Sequence, residues 1–343
     1  MTGPVSDEPR SPATIYDVAR LAQVSPSTVS RALNKPGRIS AQTERKIRAA
    51  AERLEFEINP MARALPTGRR MTLALMLADI TNPVVFGLIR GAERGAAAAG
   101  YTLIITESQE SGEAELRMLR KIQASVDGIV LATTRGPAEP IRQFAHAKPI
   151  VLVNRAEPGV ASIIPDVPGG VAQLLDHLRA CGHANVAYLS GPAASWVNGE
   201  RWAALVRLAP PRAMHVFQMP GRAPTMAGGA EALERVMLLP ATAVIAFNDL
   251  MAIGLLRQAR QEDIAVPGRL SIAGFDNIFG AELTTPALTT VAAPLEDAGA
   301  RAVESLVALI EGSPARLPEV SPFELRLVVR DSTGPPAVGQ GEG

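Results

Sequence analysis

TIYDVARLAQVSPSTVSRALN, residues 14–34, carries two short helical patterns separated by a turn, and its reading decides the fold of the front of the chain. Thr14 precedes the run Ile15–Ala22 with Asp17 three residues on, a capping-box-like start with a shortened acidic partner. Val18, Leu21 and Ala22 recur at three- and four-residue spacing and predict a narrow apolar stripe. Gln23-Val24 then makes a tight turn. Ser25-Pro26 supplies a second N-cap with proline in the first turn, where its missing N–H costs nothing. The second helix covers Pro26–Leu33, with Val29 and Leu33 facing inward. Ser27, Thr28, Ser30 and Arg31 are left for a groove edge or phosphates, since hydroxyls serve either and arginine grips guanine bidentately. Two such helices joined by a short turn form a helix-turn-helix; the plainer alternative is a pair of surface helices. A third amphipathic helix, from about Ser40 to Leu54 with Arg45, Lys46, Arg48 and Arg53, supplies the core that the pair lacks.

Charge is distributed as that reading requires. The 343-residue chain is formally neutral, yet residues 14–70 hold eleven Lys/Arg against five Asp/Glu, and the remainder beyond residue 70 is acidic. A basic front and an acidic back suit a protein whose front alone meets phosphate. Apolar residues make up 47% and charged residues 20%, a balance that belongs to folded chains. No apolar run reaches the roughly 18 residues of a membrane span, and the opening residues lack an apolar signal core, so a cytoplasmic protein without membrane association is expected. Cys181 is the one cysteine and there are four histidines, which leaves no ligand cluster at metal spacing; a buried, inert thiol and no metal or cofactor are expected.

Beyond Arg70 short β-like runs alternate with helical stretches. The strands are read at Thr72–Leu77, Tyr101–Thr106, Gly128–Leu131, Ile150–Asn154, Asn185–Leu189, Ala243–Phe247 and Leu270–Phe275. Helical periodicity fills the gaps, as in Val84–Gly100, Ala114–Ala124, Val171–Cys181 and Asp249–Glu262. This alternation predicts an α/β body of doubly wound parallel sheets in two lobes. Ligands of such sheets bind beyond the carboxyl ends of the strands, here in the cleft between lobes. Asp79, Asn82, Asn154, Asn248-Asp249 and Asp276-Asn277 stand at those ends, although each can equally cap the next helix.

The segments Thr14–Ala19, Val24–Asn34 and Asn59-Pro60-Met61-Ala62-Arg63-Ala64-Leu65 resemble the lactose-repressor/galactose-repressor (LacI/GalR) family, and the resemblance continues to Arg330. It implies an all-α helix-turn-helix head on a two-lobed, periplasmic-binding-protein-like body. The corresponding divisions are a disordered extension over 1–13, the head over 14–58, a hinge over 59–69, the effector-binding and dimerisation body over 70–330, and a flexible tail over 331–343. The resemblance places residues 26–33 in the major groove, with Pro26, Ser27 and Arg31 at base-reading positions and Thr28 and Ser30 on phosphate or groove. Thr14, Ile15, Ser25 and Asn34 complete the contacts of the head. It makes residues 59–65 a hinge helix that folds on DNA, where Asn59, Ala62 and Arg63 meet the minor groove and Leu65 wedges between base pairs. Three residues depart from the pattern: Gln23 and Glu55 stand where glycines are usual, and Pro66 follows the wedge leucine.

For the body, the resemblance points to Arg201, Asn248 and Asp276 as effector ligands, a guanidinium fork, an amide and a carboxylate that suit a polyhydroxylated molecule. Asn82 and Asn154 join them from the strand ends. Val84 and Val85 occupy positions that are often aromatic in the family, and Trp196 is a candidate replacement face against a competing role in packing. Asp166-Val167 replaces a more usual Asp-Asn, which leaves Asp166 without a clear role. The chain holds no Gly-x-Ser-x-Gly elbow, P-loop or His-Glu-x-x-His helix, so no catalytic residue is assigned and no enzyme is expected. The expectation is a DNA-binding transcriptional regulator, a repressor, that binds a pseudo-palindromic operator as a homodimer under control of a sugar-like small molecule. The alternatives are a nucleoside, nucleobase or protein co-effector, and, more remotely, a solute-binding protein.

Overall fold

Thr14 and Asp17 close the expected capping box: the Thr14 backbone N–H and hydroxyl both donate to the Asp17 carboxylate, at 2.9 and 2.6 Å. In this computed structural model, which describes residues 13–34, 39–56, 69–312 and 320–337, that box starts α1 (Ile15–Ala22). Ser25 caps α2 (Pro26–Asn34) by accepting from the Thr28 backbone N–H at 3.2 Å, and Ser40 caps α3 (Ala41–Arg53) through Thr43. The three helices bury Val18, Ala19, Ala22, Val29, Ala32, Ile47 and Ala50 as one core. The stripe on α1 differs from the expected one by a single step. At about 100° per residue, Ile15, Val18, Ala19 and Ala22 share one face, and Leu21 falls about 60° beyond Val18 at the edge of that face, where it is exposed.

Both residues that replace a usual glycine adopt the backbone for which glycine is favoured. Gln23 has φ 55° and Glu55 has φ 48°, left-handed conformations that cost an ordinary side chain roughly 1 kcal/mol. Each ends a helix and turns its N–H back onto that helix.

The chain divides into two units, Met1–Arg70 and Met71–Gly343. The second begins with β1 (Thr72–Leu77), α4 (Val85–Ala98), β2 (Thr102–Glu107), α5 (Gly112–Ile122), β3 (Gly128–Ala132), α6 (Ala138–Ala147), β4 (Ile150–Val153) and β5 (Ser162–Pro165). A first crossing leads to α7 (Val167–Ala180), β6 (Asn185–Leu189), α8 (Trp196–Leu208), β7 (His215–Met219), α9 (Met226–Ala230), α10 (Leu233–Met237), β8 (Ala243–Ala246), α11 (Asp249–Gln261), β9 (Ser271–Asp276) and β10 (Thr289–Ala292). A second crossing returns the chain to the first lobe for α12 (Leu295–Ile310) and β11 (Val320–Phe323), and a third delivers β12 (Arg326–Val328) to the second lobe.

Two six-stranded sheets result, ordered β11-β5-β4-β3-β1-β2 and β12-β10-β9-β8-β6-β7. Among the described residues every strand pairing is parallel except one: β12 runs antiparallel to β10, a departure from the all-parallel expectation. It is an edge strand, which the chain enters from β11 of the other sheet through two residues. Strands β3, β4 and β8 are buried on both faces by helices, which is why their sequences read as continuous apolar runs. Asp166, left without a role by the sequence, caps α7 through the Gly169 N–H at 3.1 Å.

The tail also differs from expectation. Rather than hanging free, Asp331–Ala337 docks along the second lobe: Ile272 N–H donates to Ser332 O at 2.8 Å, and the buried Ser332 hydroxyl accepts from Thr289 N–H at 2.8 Å and donates to Ile272 O at 2.6 Å. Ala337 N–H reaches Gly268 O at 2.8 Å. The segment is rich in Gly and Pro, yet its Ser332 pairs buried main-chain groups.

Candidate effector cleft and DNA-facing head

On the head, Ser25, Ser27 and Arg31 are exposed, while Pro26, Thr28 and Ser30 are half-buried along the same helix. The Ser25 hydroxyl lies 2.9 Å from that of Ser27 and 2.8 Å from that of Thr28, so the three hydroxyls form one polar corner at the start of α2. Two expected contacts are otherwise engaged. Thr14 spends its N–H and hydroxyl on Asp17, and Ile15 packs against the core of the head. What α1 presents instead is Tyr16, 67% exposed, and Arg20, 3.5 Å from Asp17. The sequence signal for Tyr16 was its place outside the apolar face of the helix. Asn34 closes α2. Asn59, Ala62, Arg63, Leu65 and Pro66 lie outside the described residues.

In the body, the carboxyl ends of the strands of both lobes converge on one cleft, as the topology requires. The first lobe contributes Asp79, Asn82, Val84, Val85 and Asn154, and the second contributes Arg201, Asn248 and Asp276. Of the strand-end candidates, Asp79, Asn82, Asn154, Asn248 and Asp276 meet in this one place, whereas Asp249 bonds Thr290 and Ile278 behind it and Asn277 accepts from Arg330, both outside the lining. Trp196 is outside it as well: it packs against the apolar core, and its neighbours Ser195 and Val197 line the cleft in its stead. On α8 the indole points a third of a turn away from them.

Besides Ser195 and Val197, the sequence reading missed Ala78, Glu110, Thr133, Arg135, Pro224 and Phe247 at the cleft. Arg135, nearly buried, grips Glu110 bidentately, with Nε to Oε2 at 2.6 Å and Nη2 to Oε1 at 3.1 Å, and also donates to Thr133 O at 2.7 Å. A signal existed, because Glu110 follows β2 and Arg135 follows β3, positions equivalent to those from which Asn82 and Asn154 were taken. Glu110, Thr133, Asn154 and Asp276 all hold positive φ, at 58°, 54°, 62° and 111°. Left-handed backbone outside glycine is uncommon and gathers where a site demands a particular side-chain direction.

Arg201 is the centre of the site. Its Nη1 donates to Phe247 O, its Nη2 lies 3.7 Å from Asp276, and its guanidinium sits 3.9 Å above the Phe275 ring and 5.2 Å from that of Phe247. Such cation–π contacts hold the fork in place. Its Nε is buried and has no hydrogen-bond partner among the described residues. Burial pushes the Asp276 carboxyl up to about 7, and the Arg201 charge opposes that rise. Behind it Asp249, fully buried, accepts from Thr290 Oγ1 at 2.6 Å and from Ile278 N–H at 3.0 Å; burial and then the neighbouring Asp276 hold it well above the carboxylate range. Asn248 caps α11, its Oδ1 accepting from Met251 N–H at 2.9 Å, and its Nδ2 donates to Pro224 O at 3.0 Å on the cleft wall.

The cleft encloses about 80 Å³, below the roughly 300 Å³ at the lower end of small-molecule pockets. Cys181 is half-buried, with its thiol pushed up by burial. Among the described residues there is no cluster of groups able to hold a metal ion, and no helix is long and apolar enough to cross a membrane.

Comparison with known proteins agrees with both parts. Residues 14–59 match the bacterial regulatory proteins of the lacI family, and residues 175–333 match the periplasmic binding protein-like domain. The HTH-type transcriptional regulator DegA of Bacillus subtilis is 33% identical over 336 residues, covering 94% of this chain and 98% of that protein. The chain belongs to the LacI family. The ribose operon repressor of Escherichia coli, 30% identical over 307 residues, covers 86% of this chain and 92% of its own length. The crystal structure of the Lac repressor dimer bound to operator and an anti-inducer shares the fold, with a TM-score of 0.82 at 23% identity over 94% of this chain and all of that one. As a LacI-family member the protein is a DNA-binding transcriptional regulator with a helix-turn-helix head and a two-lobed effector-binding body.

Proposed function

We propose that this regulator is a homodimeric repressor whose grip on a pseudo-palindromic operator is set by a small polyol, most simply a monosaccharide or a derivative of one, held between the lobes by Arg201, Asn248 and Asp276. The observation that carries the reading is the unpartnered buried Nε of Arg201 beside Asp276. A buried donor without an acceptor costs about 1–3 kcal/mol, and a ligand hydroxyl oxygen removes that cost. The adjacent carboxylate accepts from hydroxyl hydrogens, so donor and acceptor stand side by side, as a sugar diol requires.

The aromatic lining favours a sugar over a nucleoside. Phe247 is the one aromatic side chain lining the cleft among the described residues. Arg201 already lies over its ring, and Gly191 approaches the ring closely enough that a Cβ there would overlap it. No open face remains on which a base can stack. The relative that acts on a ribose operon supports the same class. The small enclosed volume requires the lobes to part for entry, and coupling of that motion to the heads at about 1–3 kcal/mol supplies a 5- to 150-fold response. The polar corner Ser25-Ser27-Thr28 with Arg31 reads the operator, and a dimer follows from how little DNA one three-helix head covers. The protein works by binding rather than catalysis, in the cytoplasm where its DNA lies.

The test is selection of bound genomic fragments by the purified protein, repeated with a panel of sugars and nucleosides. A shared palindrome whose binding one sugar alters is the expected result. No enriched sequence at low salt, where phosphate contacts are strongest, rejects the DNA reading; a response to nucleosides alone rejects the sugar.

A further inference from the structure

A second cavity, of about 430 Å³, opens on the same lobe beside the effector cleft. The loop after β6 gives it Ser190–Ala193, the loop after β7 gives it Gly221–Ala223, and Asn198 of α8 and Gln218 of β7 complete it. Neither the fold nor the reading of the main cleft uses it.

Its polar lining is donor-rich and incompletely satisfied, with Ser190 and Asn198 buried, Arg222 half-exposed and Gln218 exposed at the rim. Asn198, 7% exposed, accepts on Oδ1 from Tyr188 Oη and from Gly191 N–H, both at 2.9 Å. Because a backbone N–H only donates, the amide orientation is fixed with its NH₂ turned the other way. That Nδ2 has no hydrogen-bond partner among the described residues, nor is it sealed from solvent. Ser190, 3% exposed, accepts on Oγ from Gln218 Nε2 at 3.2 Å, which leaves its own hydroxyl hydrogen to give. Arg222 adds a guanidinium whose nearest acid, Glu231, stands 3.7 Å away in a solvent-exposed pair outside the lining. Pairs of that kind contribute little. No Asp or Glu lines this cavity, whereas Asp79, Glu110 and Asp276 line the main cleft.

We propose that this cavity is an anion subsite, in which the Asn198 amide, the Ser190 hydroxyl and the Arg222 guanidinium converge on the oxygens of a small carboxylate or phosphate. Fixed donors with one cation and no competing acid are what such a group needs. The subsite also touches the effector cleft mechanically. Gly191 is wedged against the Phe247 ring, and Phe247 O holds Arg201, so an anion that orders the Ser190–Ala193 loop bears on the fork that grips the effector.

Titrating sodium phosphate and, separately, sodium acetate into the full-length protein by calorimetry, with sodium chloride as the ionic-strength control, tests this. Saturable binding of phosphate, acetate or both is expected, and which of them binds tells phosphate from carboxylate. Arg222→Gln, on the surface, should weaken it at least fivefold. Asn198→Asp, which keeps both accepted hydrogen bonds and replaces the donor by a like charge, should weaken it at least tenfold. Equal affinity in both variants would assign the anion to the basic head and overturn the proposal, as would heats indistinguishable from chloride.

Discussion

Arg201 and Asp276 face each other at 3.7 Å, too far for a hydrogen bond and close enough for each to set the other's charge. A pair held just apart in a nearly closed cleft leaves both partners available to a third group. Replacing Arg201 by lysine keeps the charge and loses the planar fork and its stacking on Phe275. Effector affinity should fall by roughly thirtyfold or more, the scale on which a buried charged hydrogen-bonding partner is lost. Calorimetry with the effector checks this, and operator binding without effector should be unchanged.

The same pair makes the response pH-dependent. The Asp276 carboxyl ionises near 7 in the folded chain and near 4 when unfolded, so between those values the folded state binds the extra proton. The contribution of this group to stability therefore falls as pH rises from about 4 to about 7 and is level above. Effector hydroxyls that donate to the ionised carboxylate gain in the opposite sense. Affinity should drop about tenfold from pH 8 to pH 6, and Asp276→Asn should bind weakly at both pH values.

Gln23 and Glu55 place strain where glycine would carry none. Gln23→Gly and Glu55→Gly should each stabilise the head by roughly 0.5–1 kcal/mol, seen in the full chain as slower amide hydrogen exchange across α1 and α3. Faster exchange would mean that the lost backbone restriction outweighs the relieved strain.

Ser332 matches two buried main-chain groups with one hydroxyl. Ser332→Ala should cost roughly 1–3 kcal/mol, measured as a lower thermal midpoint with operator affinity retained. His183, fully buried against Thr242, Ser271 and Gly334 O, is held by burial below the usual histidine range. Its contribution is present above about pH 6.5 and is lost as the pH falls, so an acid-induced loosening should begin around this docked tail.

Sequence patterning located the head helices to within a residue or two and most strands of the central sheets, because each buries a run of apolar side chains that nothing else explains. The strands it passed over lack that run. Thr289 and Thr290 in β10 are fully buried, their hydroxyls meeting Arg330 O and Asp249, and β11 contains Pro322, which an edge position tolerates. The lobe assignment of α12 was likewise invisible. It rests on Gly91 of α4 and Gly299 of α12, whose backbones touch the facing helix so closely that neither has room for a Cβ. In the cleft, residues adjacent to a strongly patterned strand were found. The Glu110–Arg135 pair was not, although both partners follow strands, because 25 residues separate them and only the folded chain shows that they pair.

The three crossings between lobes have a consequence for synthesis. β5 is made some 158 residues before β11, the strand that covers its open side. At about 5–20 residues per second, the nascent first sheet waits roughly 8–30 s on the ribosome with that edge bare, and α12, which covers one of its faces, arrives only shortly before β11. With only four residues and a closing proline, Pro165, β5 denies passing chains a long template until its own partner emerges.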